Sequence, residues 1–205
     1  MVTTLGPFEH GSPEWHEARR TRIGGSEIGA VCGWSPYETR DQVLARKAGG
    51  DTRGPTRAMR RGTICEPAVL AHLCESLGVA IDLEATALTY VDGRRLFNPD
   101  GITTDGRLLE AKTTSDRAED AGWGRARTDL VPLGYAAQAQ WGMGLLGLDE
   151  CWLGVLAGAH NGSPDLHFAT YRLTFNPRIF RHMTRRADQF LDELDALTSE
   201  RETLQ

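Results

Sequence analysis

The stretch that most constrains the fold of this chain runs from Asn98 to Thr113: Asn-Pro-Asp-Gly-Ile-Thr-Thr-Asp-Gly-Arg-Leu-Leu-Glu-Ala-Lys-Thr. Its first part, around Asp100, is typical of a tight turn, and its last part predicts a strand. Side chains alternate between the two faces of a strand, so Glu110 and Lys112 point the same way. The stretch therefore predicts that two carboxylates and one ammonium lie close together.

That arrangement is typical of a site for a metal and a phosphate. Mg²⁺ binds one or two carboxylates and keeps several waters, so Asp100 and Glu110 are candidate ligands. A metal-bound water is a better nucleophile at neutral pH, and Lys112 could orient or deprotonate it and stabilise the developing charge. Glu66 could complete the acidic cluster, although it could equally be an acid that complements the dipole at the start of a helix. Gln138 could orient the water or a phosphate without adding charge.

The composition is ordinary for a soluble globular chain, with 40% apolar and 25% charged residues among 205. This length predicts one domain. No apolar run approaches the ~18 residues of a transmembrane helix, and the N-terminus lacks a signal-peptide pattern. We therefore expect a cytoplasmic protein with no membrane partner. The four cysteines lack zinc-ligand spacing, which predicts reduced, buried thiols.

Charge is unevenly distributed along the chain. The net charge is −5, and residues 188–205 alone hold six acids and one arginine. This acidic segment could repel DNA from the outer surface, or it could be a solvated helix face. Arginines cluster near residues 19–22, 53–61 and 178–186, which suits phosphate because a guanidinium binds pairs of oxygens. Only Lys47 and Lys112 among the 23 basic residues are lysines, which indicates that a compact cation is needed beside Glu110.

The order of elements predicts an α/β or α+β domain, a central mixed β-sheet flanked by helices with an N-terminal helical segment. Helices are predicted at 13–22, 27–32, 40–48, 58–77, 116–127 and 132–143, and from 177 onward. Strands are predicted at 85–91 and 94–98, at Glu110–Lys112, at 151–157 and at 167–175. We expect one domain over residues 1–205, with the N-terminal helical segment at about 12–57 and an acidic C-terminal helix at about 176–200. Pro67 is expected in the first turn of its helix or at a kink.

A glycine-rich elbow between the first two predicted helices is a second candidate site. Ser26 is predicted to cap the second helix, and the N–H groups of a helix N-terminus can bind an anion. Arg19 and Arg20 lie one or two turns upstream, so Ser26 is a candidate phosphate contact. The same residues could also form an ordinary elbow between two helices.

The helix predicted at 132–143 is rich in small residues, which allow close packing on a sheet. Tyr135 and Gln138 are three residues apart and can share one face. Gln138 and Gln140 differ by ~200° around a helix. One of the two glutamines is therefore expected to face the site and the other to face solvent.

Taken together, the motifs resemble the YqaJ-like viral recombinase family of the PD-(D/E)XK nuclease superfamily, to which lambda-type exonucleases also belong. The resemblance covers about residues 14–145. Several motifs that follow one another in the family's order identify the family more specifically than any single motif does. The motifs are Trp15-His16, Arg19, Ile23-Gly24-Gly25-Ser26-Glu27-Ile28, Gly33-Trp34-Ser35-Pro36-Tyr37, Arg61-Gly62, Glu66-Pro67, Pro99-Asp100-Gly101, Leu109-Glu110-Ala111-Lys112 and Tyr135-Ala136-Ala137-Gln138-Ala139-Gln140. Ala111 departs from the pattern, since a larger apolar residue is common there.

The resemblance implies a restriction-endonuclease-like core and an Mg²⁺-dependent deoxyribonuclease, with Mn²⁺ as a possible substitute for Mg²⁺. It assigns metal binding to Asp100, Glu110 and Glu66. It assigns to Lys112 the role of orienting or deprotonating the nucleophilic water, and to Gln138 a supporting role in the same site. Family members of the lambda type degrade one strand of duplex DNA from its 5′ end.

The resemblance also implies a pocket for the DNA end. Arg19 and Ser26 match positions that hold the 5′-phosphate, Arg20 is an alternative to Arg19, and Tyr135 is a further candidate contact. The implied partners are double-stranded DNA ends, a single-strand annealing protein and further copies of the chain in a trimeric ring. The setting would be phage-type recombination in the cytoplasm of a bacterial host.

Two other classes of function stay open at this point. One is a different nuclease on the same core, either independent of DNA ends or specific for single strands. The other is a non-catalytic protein that binds DNA ends. The combination of Asp100, Glu110 and Lys112 argues against the second class, because a binding module has no use for it.

Overall fold

The structure is a computed structural model, and it describes residues 2–8, 11–49, 54–114, 122–158 and 167–203. Within these ranges there are seven helices: α1 (Pro13–Arg20), α2 (Gly25–Val31), α3 (Arg40–Gly49), α4 (Arg57–Leu77), α5 (Leu83–Thr86), α6 (Leu133–Leu146) and α7 (Pro177–Thr203). The same ranges contain eight strands: β1 (Thr3–Leu5), β2 (Ile23–Gly24), β3 (Thr89–Asp92), β4 (Arg95–Phe97), β5 (Gly101–Ile102), β6 (Leu108–Thr114), β7 (Glu150–Ala157) and β8 (His167–Thr174).

The main sheet has the strand order β5-β6-β7-β8 and carries the predicted site strand in its interior. Strands β6 and β7 are parallel, and the other pairs are antiparallel, which confirms the predicted mixed sheet. Strand β7 is almost continuously apolar, as expected for a strand covered on both faces. Its Gly154 allows helix α4 to approach, since a Cβ there would lie 2.7 Å from a methyl carbon of Val69.

A second sheet, which the sequence did not reveal, has the order β1-β3-β4-β2 among the described residues. Strands β1 and β2 have only three and two residues, too few for a periodic pattern. Strand β2 interrupts the predicted N-terminal helical segment and pairs in parallel with β4. This pairing brings the elbow before α2 to the end of β4, next to the turn that contains Asp100.

Three predicted elements need correction. Residues 85–86, predicted as the start of a strand, belong to helix α5, because the Asp82 side chain accepts a hydrogen bond from the Ala85 N–H and caps a helical turn. Residues 122–130 contain no helix, and the earlier part of the helix predicted at 116–127 lies outside the described residues. Helix α2 is capped by Gly24, not by Ser26, and Ser26 lies within its first turn.

Helix α4 continues through Pro67, which lies in its interior. This interior position excludes the first turn, and the other expectation, a kink at Pro67, stays a prediction. Glu66 is likewise in the middle of α4, far from the helix N-terminus. The alternative in which Glu66 complements the dipole at a helix start is therefore excluded. A role in the acidic cluster is the expectation that remains for its carboxylate.

The acidic C-terminal segment forms part of α7 and pairs with arginines from elsewhere in the chain. Asp188 and Asp195 each accept two hydrogen bonds, from Arg95 and Arg94 respectively. Glu193 accepts one at 2.5 Å from Arg40. The segment is therefore only in part a solvated helix face, because three of its acids lie against basic side chains of α3 and of the β3–β4 hairpin. None of the described helices is long and apolar enough to cross a membrane.

Candidate active site

The turn before β5 and the strand β6 bring Asp100, Glu110 and Lys112 together, as predicted. Asp100 Oδ2 accepts a hydrogen bond of 2.8 Å from the Ala111 N–H, which ties the turn to the strand. Lys112 Nζ donates to Glu110 Oε2 at 2.6 Å and to Asp100 Oδ2 at 3.4 Å. The ammonium therefore lies between two carboxylates, and the Glu110 side chain is fully buried.

Helix α6 adds Gln138 to this group. Gln138 Nε2 donates a hydrogen bond of 2.7 Å to Glu110 Oε2, which confirms that one glutamine of the pair faces the site. The expectation that the other faces solvent is wrong. Gln140 is buried, where its Nε2 donates to the Thr174 carbonyl and its Oε1 accepts from the Asn176 N–H, both at 2.7 Å. It ties α6 to the start of α7, a role that side-chain periodicity could not reveal.

The electrostatics of the group point to an excess of negative charge. Burial, then the Asp100 carboxylate, raises the pKa of Glu110 to about 8, although Lys112 opposes this rise. The same two causes raise the pKa of Glu66 to about 7, again against Lys112. Burial alone would lower the pKa of Lys112, but Asp100 and Glu110 outweigh it and raise that pKa above its usual value. Three carboxylates thus share one ammonium.

These residues fit a hard divalent cation by their chemistry. Glu110 Oε1 is buried and has no hydrogen-bond partner, and such an atom in a native protein requires an explanation. All the candidate donors are carboxylate oxygens, which suit Mg²⁺. As the side chains stand, no group of three or more His, Cys, Asp or Glu residues in the described ranges is arranged to hold a metal. A bound ion would therefore require at least one side chain of this group to shift from the position it has here.

The elbow before α2 forms a separate pocket around Arg19. Its Nη2 donates to Ser26 Oγ at 2.9 Å and its Nη1 to Asn98 Oδ1 at 3.5 Å. The guanidinium also lies 4.5 Å from the centre of the Trp15 ring. Arg20 does not take part, because its exposed guanidinium is bound to Glu17 at 2.9 and 3.0 Å. The structure brings Arg19, not Arg20, to Ser26.

The Arg19 pocket and the carboxylate group adjoin each other. Asn98, which accepts from Arg19, lies two residues before Asp100 in the same turn. On the other side Gly25, next to Ser26, packs against Phe97 and Gln138, since a Cβ on Gly25 would lie 2.8 Å from two carbons of the Phe97 ring and 3.3 Å from Gln138 Cγ. The absence of a side chain at Gly25 therefore lets the two parts of the site meet.

Tyr135 lies beside Lys112. Lys112 Nζ is 6.0 Å from the centre of its ring, and the ring stacks on Trp123 at a centroid distance of 5.2 Å. Its hydroxyl lies 3.4 Å from that of Tyr37, a side chain that is 77% exposed. Sequence reasoning assigned no role to Tyr37, Trp15 or Asn98, although Trp15 and Tyr37 belong to the motifs quoted above.

Comparisons of the fold point to known nucleases. LHK-Exo, an alkaline exonuclease from Laribacter hongkongensis, superposes with a TM-score of 0.70 at 20% identity, over 94% of this chain and 97% of that one. Its complex with dAMP gives 0.71 at 19% identity over the same shares. A phage-related exonuclease from Haemophilus somnus 129PT gives 0.66 at 13% identity, over 87% and 96%. At these identities the similarity establishes the fold alone, a mixed sheet with flanking helices.

Sequence comparisons identify the family. Protein D345L of African swine fever virus (strain Badajoz 1971 Vero-adapted) is 33% identical over 97 residues, which are 44% of this chain and 28% of that protein. The matched part thus spans less than a third of that relative. The model of the YqaJ-like viral recombinase domain matches residues 14–149, more than half of the chain. The chain therefore belongs to the YqaJ-like viral recombinase family.

Proposed function

We propose that this protein is an Mg²⁺-dependent exonuclease that degrades one strand of duplex DNA from a 5′-phosphorylated end. The observation that carries the proposal is the junction of the two parts of the site at Asn98 and Asp100. Arg19 reaches Asn98, two residues before Asp100. A terminal phosphate bound at Arg19 and Ser26 would place the next phosphodiester of the same strand beside the carboxylates, so cleavage would begin at an end.

The carboxylates of Asp100, Glu110 and Glu66 are the proposed metal ligands, with Mn²⁺ able to replace Mg²⁺. When bound, the ion would lower the pKa of a water and neutralise charge on the phosphodiester. Gln138 keeps the Glu110 carboxylate in position through its Nε2. Metal binding would also satisfy Glu110 Oε1, which has no hydrogen bond at present.

Lys112 is proposed to act as a charged donor. Because the neighbouring carboxylates raise its pKa, the ammonium is protonated at neutral pH. In that state it can orient the attacking water and stabilise negative charge on the phosphate, but it cannot accept a proton. Tyr135 would line the path of the DNA next to this ammonium.

The wider setting follows from the family and from the neighbours in fold. The dAMP bound to LHK-Exo is a nucleoside monophosphate, the kind of product that stepwise release from a strand end would give. We propose that residues 1–205 act as one nuclease domain in the cytoplasm of a bacterial host. The remaining strand would pass to a single-strand annealing protein, and copies of the chain would form a ring around DNA.

The test uses linear, nicked and covalently closed circular duplex DNA, each incubated with Mg²⁺ or with a chelator. We expect loss of the linear DNA with Mg²⁺ alone and survival of the closed circles. Degradation of closed circles would favour an end-independent nuclease, and survival of all three forms would favour a non-catalytic DNA-binding protein. Labels placed at the 5′ or the 3′ terminus then give the polarity, and early release of a 3′ label would contradict the proposal.

A further inference from the structure

A buried cluster of charges lies beneath the Arg19 pocket. Glu27 and Lys47 have side chains that are only 7% and 4% exposed, and Glu27 Oε1 lies 3.0 Å from Lys47 Nζ. Glu27 Oε2 accepts a hydrogen bond of 3.0 Å from the Gly24 N–H and lies 4.0 Å from Nη2 of Arg19. One carboxylate therefore links the buried lysine to the arginine of the pocket.

Lys47 also binds the end of helix α1, on which Arg19 is carried. Its Nζ donates to the carbonyls of Arg19 and Arg22, both at 2.8 Å. Together with Glu27 these carbonyls provide three acceptors for the three hydrogens of the ammonium. The last carbonyls of a helix have no partner within it, so Lys47 fixes the backbone from which the Arg19 side chain extends.

The directions in which an ammonium donates hydrogen bonds explain why position 47 is a lysine in a chain whose other basic residues are nearly all arginine. A guanidinium is planar and directs its hydrogens into one plane, whereas an ammonium donates in three directions. The acceptors of Lys47 belong to α1, to the residues just after it and to α2. A compact cation can join these segments at one point.

The cluster is left with an excess of positive charge. Arg19, Arg46 and Lys47 face the carboxylates Glu27 and Glu38, and Arg46 binds both acids at 3.3 and 3.1 Å. Burial lowers the pKa of Arg19, although Glu27 opposes this effect. A buried charge is costly unless it is paired, and the described contacts on the outer side of Arg19 are the neutral Ser26 and Asn98. An anion bound on that side would complete the balance.

We propose that Lys47 is a positioning residue for end recognition: through Glu27 and the end of α1, it holds the Arg19 guanidinium where a 5′-phosphate binds. The inference rests on the role proposed above for Arg19. It extends that role to two buried residues behind Arg19, Lys47 and Glu27. It predicts that the preference for a phosphorylated end depends on a side chain buried behind the pocket.

The test compares Lys47→Met with the wild-type protein on two duplexes that differ only in a 5′-phosphate or a 5′-hydroxyl. For the variant we expect the ratio of kcat/KM on the phosphorylated end to that on the hydroxyl end to fall about tenfold or more, mainly through KM. The rate on the hydroxyl end should change less than about twofold. Anisotropy of labelled duplexes in chelator should show the same loss of phosphate-dependent binding without catalysis.

The matched control is Arg46→Met, which removes the second cation at Glu27 Oε1, the oxygen that Lys47 also contacts. Unlike Lys47, Arg46 makes no described contact with the carbonyls of α1. The control variant should keep the wild-type ratio within about threefold. Glu27→Gln keeps an acceptor for the Gly24 N–H and should lower the ratio as Lys47→Met does. If thermal unfolding shows that Lys47→Met does not fold, Glu27→Gln is the variant that tests the positioning role.

The outcomes separate the inference from the proposed function. A wild-type protein that is indifferent to the 5′-phosphate overturns the proposed end recognition itself. A wild-type preference that folded Lys47→Met or Glu27→Gln retains overturns the positioning role alone. Equal losses on both ends would show that Lys47 only stabilises the fold, which also overturns its role in end recognition.

Discussion

A methyl group added at Gly24 tests the Arg19 pocket without removing any of its groups. Gly24 has φ −92° and ψ 165°, an extended conformation that alanine adopts without strain. A Cβ at Gly24 would lie 2.5 Å from Nη2, 3.0 Å from Cζ and 3.1 Å from Nη1 of Arg19. Non-bonded heavy atoms need about 3.5 Å, so the guanidinium must move by about 1 Å.

Such a movement has a calculable effect on phosphate binding. Nη2 now lies 2.9 Å from Ser26 Oγ, and a shift of this size would cost the guanidinium a hydrogen bond to a phosphate held by both groups. A hydrogen bond that involves a charged group contributes about 1.5–3 kcal/mol. For Gly24→Ala we therefore expect kcat/KM on 5′-phosphorylated ends to fall about 10- to 150-fold, with kcat/KM on 5′-hydroxyl ends nearly unchanged. Stability should stay within about 1 kcal/mol of wild type.

The assay is digestion of a labelled linear duplex at substrate concentrations below KM, with thermal unfolding as the check on folding. Gly6→Ala is the matched control, because a Cβ at Gly6 meets nothing within 4 Å. A Gly24→Ala protein that is folded and still prefers phosphorylated ends to the wild-type extent would refute the assignment of the phosphate to Arg19.

Three further predictions concern the carboxylate group and the core. Lys112→Met should reduce cleavage by at least about 100-fold while DNA-end binding persists, because a charged donor to the transition state is lost. Cleavage at the wild-type rate would mean that another residue orients the water. Since the pKa of Glu66 is raised from 4.5 to about 7, the folded protein holds a proton that the unfolded chain releases. Its unfolding free energy without metal should fall as pH rises from about 4.5 to about 7, by roughly 1 kcal/mol after allowance for partial exposure. Urea unfolding in chelator should show this fall, and Glu66→Gln should reduce it. Gly142→Ala would place a methyl against the buried Phe97 ring and should lower stability by about 1–3 kcal/mol in urea unfolding.

The parts of the site that could be predicted from the sequence follow from local geometry. The twofold period of a strand is enough to place Glu110 and Lys112 on one face, and the spacing of Tyr135 and Gln138 is enough to place them on one face of a helix. Both placements depend on a few neighbouring residues. The family resemblance then supplied what local geometry could not, the approach of Glu66 from a distant helix.

The parts that could not be predicted depend on contacts between distant segments. Strand β2 has two residues and exists because β4 lies beside it. Gln140 is buried because the start of α7 offers it a carbonyl and an N–H, and no pattern around position 140 carries that information. The error at the start of the strand predicted at 85–91 has a local cause. Asp82 is a residue type that favours the N-cap of a helix, and the helical turn that it caps includes the first residues of the predicted strand.

The two lysines of the chain show how far a composition count can lead. The count suggested a special role for Lys112 and left Lys47 without one. In the structure both side chains are largely buried, at 13% and 4% exposure, and each binds acceptors from more than one segment. Several arginines, by contrast, pair with carboxylates at the partly exposed surface, as Arg94 and Arg95 do with α7. One lysine lies within the carboxylate group and the other behind the Arg19 pocket, so the rarity of lysine marks the two points at which a compact cation joins the segments of the site.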